Sequence, residues 1–271
     1  MRRYDGGRFE GHTAFVTGAG RGIGEAVARR LAREGARVWL TDRDGARATA
    51  AAERVRADGG RAEALTLDVG DSRAVDAAVT EAAERSGGLD VLVNNAFSGH
   101  GDAELLEHET DEDWRRDVDI TLGGAFRCAR AAMPYLAAAG GRGAVVGIGS
   151  VNGLQDFGNH AYSAAKAGLG SLTRTLAGQN AERGVRVNLV APGTVRTPNW
   201  ADREDALERA AGQYPLGRVG LPEDVAAAVA FLASADAAWI TGVTLPVDGG
   251  LTSGNLGLFR ALHPDRPRAT G

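Results

Sequence analysis

The feature that most constrains this chain is a run of glycines at a junction. Thr17-Gly-Ala-Gly-Arg-Gly-Ile-Gly24 follows the apolar run His12-Thr-Ala-Phe-Val-Thr17. It opens a stretch in which Ile23, Val27 and Leu31 recur at helical spacing. The pattern predicts a strand, a tight turn and a helix over residues 22–34. Glycine lacks a Cβ and tolerates positive φ, so its backbone turns sharply and comes close to a ligand. A helix starting there aims its free N–H groups and positive dipole end into the turn. In that setting the loop is a cradle for a pyrophosphate, with Gly18, Arg21, Gly22, Ile23 and Gly24 as candidate binding residues. The alternative is a glycine-rich turn without a ligand.

The rest of the chain repeats the alternation. Apolar runs at 36–41, 61–67, 89–93, 143–148, 185–190 and 243–247 predict further strands. Helical patterns cover 44–58, 72–85, 111–138 and 160–183. Near-continuous apolar strands separated by helices mean a parallel sheet covered on both faces. Right-handed crossovers then give an α/β, doubly wound Rossmann fold: a seven-stranded, mostly parallel sheet with helices on both faces. The 271 residues fit one such domain, 1–271. The segment 199–214 is expected to form a helical substrate lid, and 251–271 an irregular tail, partly mobile at its end.

Charge and cysteine usage narrow the partners. With 31 basic and 35 acidic side chains the net charge is −4, which gives no reason to expect nucleic acid or an anionic membrane. The one cysteine, Cys128, allows no internal disulfide and suits a reducing compartment. Residues 1–10 are charged and Gly-rich, unlike a signal peptide. No apolar run approaches the roughly 18 residues of a membrane helix. A cytoplasmic protein is expected.

Several side chains at predicted strand ends carry chemistry. Asp42, about 20 residues past the glycines, is placed to accept hydrogen bonds from adenosine ribose hydroxyls. That favours NAD. Arg21 and Arg43 oppose it, because either could pair with a 2′-phosphate; both also read as ordinary surface charge. Asp68-Val69 could meet an adenine, or Asp68 could simply cap the next helix. Tyr162 and Lys166 stand four apart and share one helix face. A neighbouring ammonium lowers a phenol's pKa, making Tyr162 a proton carrier near neutral pH. Lys166 is the only lysine in the chain. Retaining it among so many arginines points to a need for a compact, three-donor head. Ser150 ends the fifth predicted strand, where a hydroxyl can hydrogen-bond a carbonyl or alkoxide; in isolation it reads as a turn cap.

Taken together these residues resemble the short-chain dehydrogenase/reductase family, in its compact-subunit branch. The likeness runs from about Glu10 to Leu251. It rests on the glycine loop, Asp68-Val69, Asn94-Asn-Ala96, Ser150, Tyr162-Ser-Ala-Ala-Lys166, Asn188, Pro192-Gly193, Thr197 and Asp248-Gly-Gly250. Arg218 and Leu221-Pro-Glu-Asp-Val225 fit the family's late helix. The resemblance implies an oxidoreductase that interconverts a secondary alcohol and a ketone by hydride transfer. Tyr162 would be the general acid/base. Lys166 would lower its pKa and hold the nicotinamide ribose, and Ser150 would orient the carbonyl. Asn95 and Ala96 would lie by the adenosine ribose. Pro192, Gly193, Val195 and Thr197 would hold the nicotinamide amide. A homotetramer is implied, and no metal ligand is assigned.

Two departures stand out. Phe97 occupies the place of a family Gly and is expected to line the substrate pocket. Thr121, with Asp119 nearby, stands where the family has a catalytic Asn, and a hydroxyl cannot hold a relay water as an amide can. Further expected pocket residues are Val151, Asn152, Gln155, Phe157, Trp200 and Tyr214. Asp42 leads to NAD as the expected cofactor. An NADPH-dependent carbonyl reductase is the alternative, and a nucleotide-binding protein without turnover is a rival from another class.

Overall fold

The computed structural model describes residues 7–101 and 103–265. Its strands are β1 (Thr13–Thr17), β2 (Arg37–Asp42), β3 (Arg61–Thr66), β4 (Val91–Asn94), β5 (Ala144–Ile148), β6 (Arg186–Pro192) and β7 (Thr244–Val247). They form one seven-stranded sheet in the order β3-β2-β1-β4-β5-β6-β7. Every pairing is parallel. The chain winds outward from β1 to β3 and then crosses back to β4. A crevice therefore opens at the carboxyl ends of β1 and β4, where open α/β sheets bind ligands.

The helices among the described residues are α1 (Gly22–Arg33), α2 (Gly45–Ala57), α3 (Ser72–Ser86), α4 (Asp111–Val118), α5 (Gly124–Ala137), α6 (His160–Asn180), α7 (Glu204–Ala211), α8 (Pro222–Ala233) and α9 (Leu256–Leu262). Strand alternation sorts them onto two faces. Ala14, Val16, Val38 and Leu40 pack with Val27 and Leu31 of α1, Val55 of α2 and Val229 of α8. Phe15 and Trp39 point the other way, onto Val79 of α3 and Cys128 and Leu136 of α5. Each Val, Leu or Phe among them taken fully from water contributes about 1.5–3 kcal/mol. Short polar residues start the helices: Asp44, Asp71 and Thr110 accept from first-turn N–H groups.

Two expectations are corrected. The segment expected as one helix over 111–138 is α4 and α5 joined by a π-helical turn, Asp119–Gly123. Gly123 and Gly124 are poor helix formers. A Cβ on Gly124 would stand 2.6 Å from Val69 Cγ2, so the helix could not approach β3's loop with any other residue there. The tail from 251 is also more regular than expected. It makes a 3₁₀ turn, Leu251–Ser253, and then α9, whose first turn is capped by Asn255 accepting from Leu258 N at 2.8 Å. Residues 266–271 lie outside the described residues.

Candidate active site

The glycine loop leaves β1 in positive φ at Gly18 (+60°) and again at Gly22 (+63°). A Cβ on Gly20 would lie 2.8 Å from Asp42 Oδ2, and one on Gly24 2.4 Å from Gly18 O. The turn is thus too tight for a side chain at Gly20 or Gly24. No side chain caps the start of α1, so its first N–H groups face the crevice uncapped. Asp42 ends β2 beside this loop, accepting from Gly20 N at 3.1 Å and Asp44 N at 3.0 Å. Arg21 and Arg43 are both exposed. The cradle fits a dinucleotide's pyrophosphate: its backbone is open, its helix end unneutralised, and a carboxylate stands at the ribose position.

The other residues expected at the cofactor fall into two groups. Asn95 braces the glycine turn, its Nδ2 donating to Thr17 O and Gly18 O, each at 2.9 Å. Thr17 Oγ1 accepts from Asn95 N and Ala96 N, each at 3.0 Å, and so locks the end of β4 to the end of β1. Val69 is buried and Asp68 is exposed. The Asp68 carboxylate accepts from Gly70 N at 2.8 Å, while the cap of α3 is Asp71, not Asp68. Beyond β6, Thr197 comes across to the glycine loop: a Cβ on Gly22 would touch Thr197 Cβ and Cγ2 at 3.6 Å. Gly193 packs under Tyr214, and Val195 bridges to Gly220. Tyr214 was expected in the pocket, but it is buried and its phenol accepts from Thr194 N at 2.7 Å. It holds the segment after β6 in place.

The reactive side chains meet at the carboxyl edge of β5. Ser150 Oγ accepts from Asn152 N at 3.2 Å and lies 3.0 Å from Asn152 Oδ1. Asn152 in turn donates to Gly158 O and Ser163 Oγ, each at 3.2 Å, tying this turn to the start of α6. Tyr162 stands in the first turn of α6, close enough for the Ser150 hydroxyl to act on its phenol. Burial pushes the Tyr162 phenol above its ordinary value, and the Ser150 hydroxyl offsets part of that rise. Lys166, one turn on, is buried, and its Nζ donates to Ile148 O at 2.6 Å. Burial lowers it to a pKa of about 7. Its Nζ lies 5.3 Å from the Tyr162 ring centre. The expected lowering of the tyrosine by a charged lysine is not what this arrangement produces: both groups are pushed towards their neutral forms.

A family model described as enoyl-(acyl carrier protein) reductase matches residues 18–252. The chain is 44% identical over 252 residues to the cis-4-hydroxycyclohexanecarboxylate dehydrogenase of Sinomonas cyclohexanicum, covering 92% of this chain and 99% of that one. It is 42% identical to 3beta-hydroxysteroid dehydrogenase 1 of Eggerthella lenta, covering 90% and 94%. The crystal structure of a dehydrogenase/reductase from Sinorhizobium meliloti superposes with a TM-score of 0.84 at 39% identity, covering 90% of this chain and 96% of that one. The chain belongs to the short-chain dehydrogenase/reductase family.

As a short-chain dehydrogenase/reductase it is an oxidoreductase, and its two departures now have a structural setting. Thr121 lies in the π-helical turn with its hydroxyl engaged twice by Ser98. Oγ1 accepts from Ser98 N at 3.1 Å and donates to Ser98 O at 3.0 Å. This short-chain dehydrogenase/reductase therefore uses position 121 to hold the loop after β4. That loop carries a network absent from the sequence reading. Ser98 Oγ donates to Asp117 Oδ1 at 2.6 Å, and His100 Nδ1 lies 2.7 Å from Asp117 Oδ2. His100 Nε2 faces Glu109 at 3.5 Å and Asp113 at 3.9 Å. Glu109 also lies 3.6 Å from His160 Nδ1, two residues before Tyr162. The available signal was Asp117, an acidic residue one turn before Thr121 on the inward side of α4.

Proposed function

We propose that the protein interconverts a secondary alcohol and a ketone with NAD, using Tyr162 to move the proton on the substrate oxygen. The observation that carries this reading is buried Lys166, anchored to Ile148 O at the end of β5 with its Nζ 5.3 Å from the Tyr162 ring centre, where Ser150 follows the same strand. The relatives named above act, by their names, on cyclic secondary alcohols. A third, the meso-2,3-butanediol dehydrogenase of Serratia marcescens, is 42% identical and is named for an open-chain one.

The glycine loop, Asp42 and Thr197 would hold a nicotinamide dinucleotide, which when bound takes the hydride from the alcohol carbon or returns it to the carbonyl. Ser150 holds the substrate oxygen by a hydrogen bond. In reduction Tyr162 donates its proton to that oxygen, and its raised pKa keeps the proton available at neutral pH. In oxidation the phenolate must take the proton, so that direction is favoured at alkaline pH. Lys166, set by Ile148 O, keeps its Nζ 5.3 Å from the Tyr162 ring centre.

Asp42 supports NAD, because a 2′-phosphate would bring like charge against a carboxylate already held beside the loop. Exposed Arg21 and Arg43 favour the second reading, NADPH. The segment 199–214 would close over the site: α7 and a 3₁₀ turn, Pro198–Trp200, rest on the small cluster of Leu207, Tyr214 and Val219. Exposed apolar side chains on α4 and α5, Trp114 and Phe126, and Val243 beside edge strand β7, support a symmetric homotetramer. Among the described residues no helix is long and apolar enough to cross a membrane. Buried, unpaired Cys128 accords with the reducing cytoplasm. The test is turnover of a panel of secondary alcohols and ketones with NAD(H) and NADP(H), after fluorescence titration shows that cofactor binds. Binding without turnover of any alcohol or ketone would overturn the reading.

A further inference from the structure

Phe97 stands half exposed beside the Tyr162 ring. Its ring meets the Tyr162 ring edge-on, with centres 5.9 Å apart and planes at 67°. The ring centre is 5.5 Å from Lys166 Nζ, whose hydrogen bond is directed to Ile148 O. The Phe97 ring thus gives the space next to Tyr162 an aromatic wall. A flat face of this kind gains most from a ring of similar size laid against it, and least from a short chain.

The wall is placed by its neighbours. Asp117 is 1% exposed, and its carboxylate receives Ser98 Oγ at 2.6 Å, His100 N at 3.1 Å and His100 Nδ1 at 2.7 Å. Thr121 holds Ser98 from the same side. Gly99, between the two anchored residues, passes so close to the tyrosine that a Cβ there would be 3.3 Å from Tyr162 Cδ2. Two residues clamped to one buried carboxylate leave Phe97 little freedom to swing away from Tyr162.

We propose that Phe97 selects substrates whose reacting carbon belongs to an apolar ring, and that Asp117 is the positioning residue that sets the Phe97 ring through Ser98 and His100. The proposal rests on the secondary-alcohol reading above.

The test compares kcat/KM for cyclohexanol and for 2-butanol, with NAD, in the wild type, Phe97→Gly, Phe97→Leu, Asp117→Asn and the double variant Phe97→Gly/Asp117→Asn. In Phe97→Gly the cyclohexanol preference falls about tenfold or more, through a higher KM for cyclohexanol, as apolar pockets discriminate by contact area. Phe97→Leu keeps part of it. Asp117→Asn shifts the preference the same way by a smaller factor, and shifts it no further when Phe97 is already glycine. An equal loss on both substrates in Asp117→Asn, or an additive double variant, overturns the positioning role. An unchanged preference in Phe97→Gly, or a change confined to NADH affinity, overturns the selecting role. Ligand-observed NMR of the two alcohols bound to the NADH complex reads the same preference without turnover. A shifted binding preference in a protein that turns over no alcohol or ketone of the panel therefore refutes the alcohol dehydrogenase reading while sustaining the role of Phe97.

Discussion

Lys166 Nζ donates a 2.6 Å hydrogen bond to the carbonyl oxygen of Ile148, the last residue of β5. The chain's one lysine is therefore aimed by the sheet edge. The same strand leads directly to Ser150, so one element sets the position of both groups relative to Tyr162.

Replacing Tyr162 by Phe removes only the ionisable oxygen. Turnover should fall by about 10²–10⁴-fold, the usual worth of general acid–base catalysis. NADH affinity should change little, because the ring and the glycine loop remain. Steady-state rates and a fluorescence titration on the same preparation check this. Near-full turnover in the variant would remove Tyr162 from the mechanism.

Folding lowers the Lys166 pKa from 10.5 to about 7 through burial. Between those values the unfolded chain holds the extra proton, so this group makes stability rise with pH across that window. One proton limits the slope to about 1.4 kcal/mol per pH unit. Lys166→Met should lack this rise. Urea unfolding of both proteins at pH 7, 8 and 9 measures it, and parallel pH profiles would contradict it.

His100 is raised above the ordinary imidazole value, chiefly by its hydrogen bond to Asp117. Asp117 is lowered, because bonds from Ser98 and His100 together outweigh its burial. The histidine's contribution is complete below its unfolded value, about 6.5, and is lost as pH rises through the folded one. The aspartate's contribution is present above the ordinary carboxylate range and is lost as pH falls. His100→Gln should therefore lower the melting temperature more at pH 6 than at pH 8.5. Equal losses at the two values would show that the imidazole is neutral in the folded protein.

Asp42→Ala removes the carboxylate beside Gly20. The wild type should prefer NAD over NADP by roughly 100-fold or more in kcat/KM, since each ~1.4 kcal/mol is a factor of ten. The variant should lose most of that preference, mainly by accepting NADP beside Arg21 and Arg43. Both cofactors assayed on one substrate decide it. A wild type that prefers NADPH would show that the arginines govern the choice.

The fold was legible because its signals are local. Apolar runs such as 36–41 and 185–190 are short and nearly continuous, as strands buried on both faces must be. The glycines at 18 and 22 adopt positive φ and a Cβ at 24 would strike Gly18 O, and the residue types carry that information themselves. The break in the 111–138 helix was harder to see. It coincides with two contacts to segments distant in sequence, Gly124 against Val69 and Thr121 on Ser98.

The site divides along the same line. Sequence alone determined that Ser150, Tyr162 and Lys166 share a region, because Tyr162 and Lys166 lie one turn apart on a helix and Ser150 ends a strand at the binding edge of a parallel sheet. It also singled out the tight glycine turn between β1 and α1. Only the tertiary structure decided what each group does there. It turned Lys166 towards Ile148 O, buried the Tyr162 phenol until its pKa rose, and gave Thr121 to the backbone of Ser98. It also withdrew Tyr214 from the pocket and gathered Ser98 and His100 around the Asp117 carboxylate. Hydrogen-bond partners and burial depend on which distant segments pack together, and those quantities set charge state and orientation.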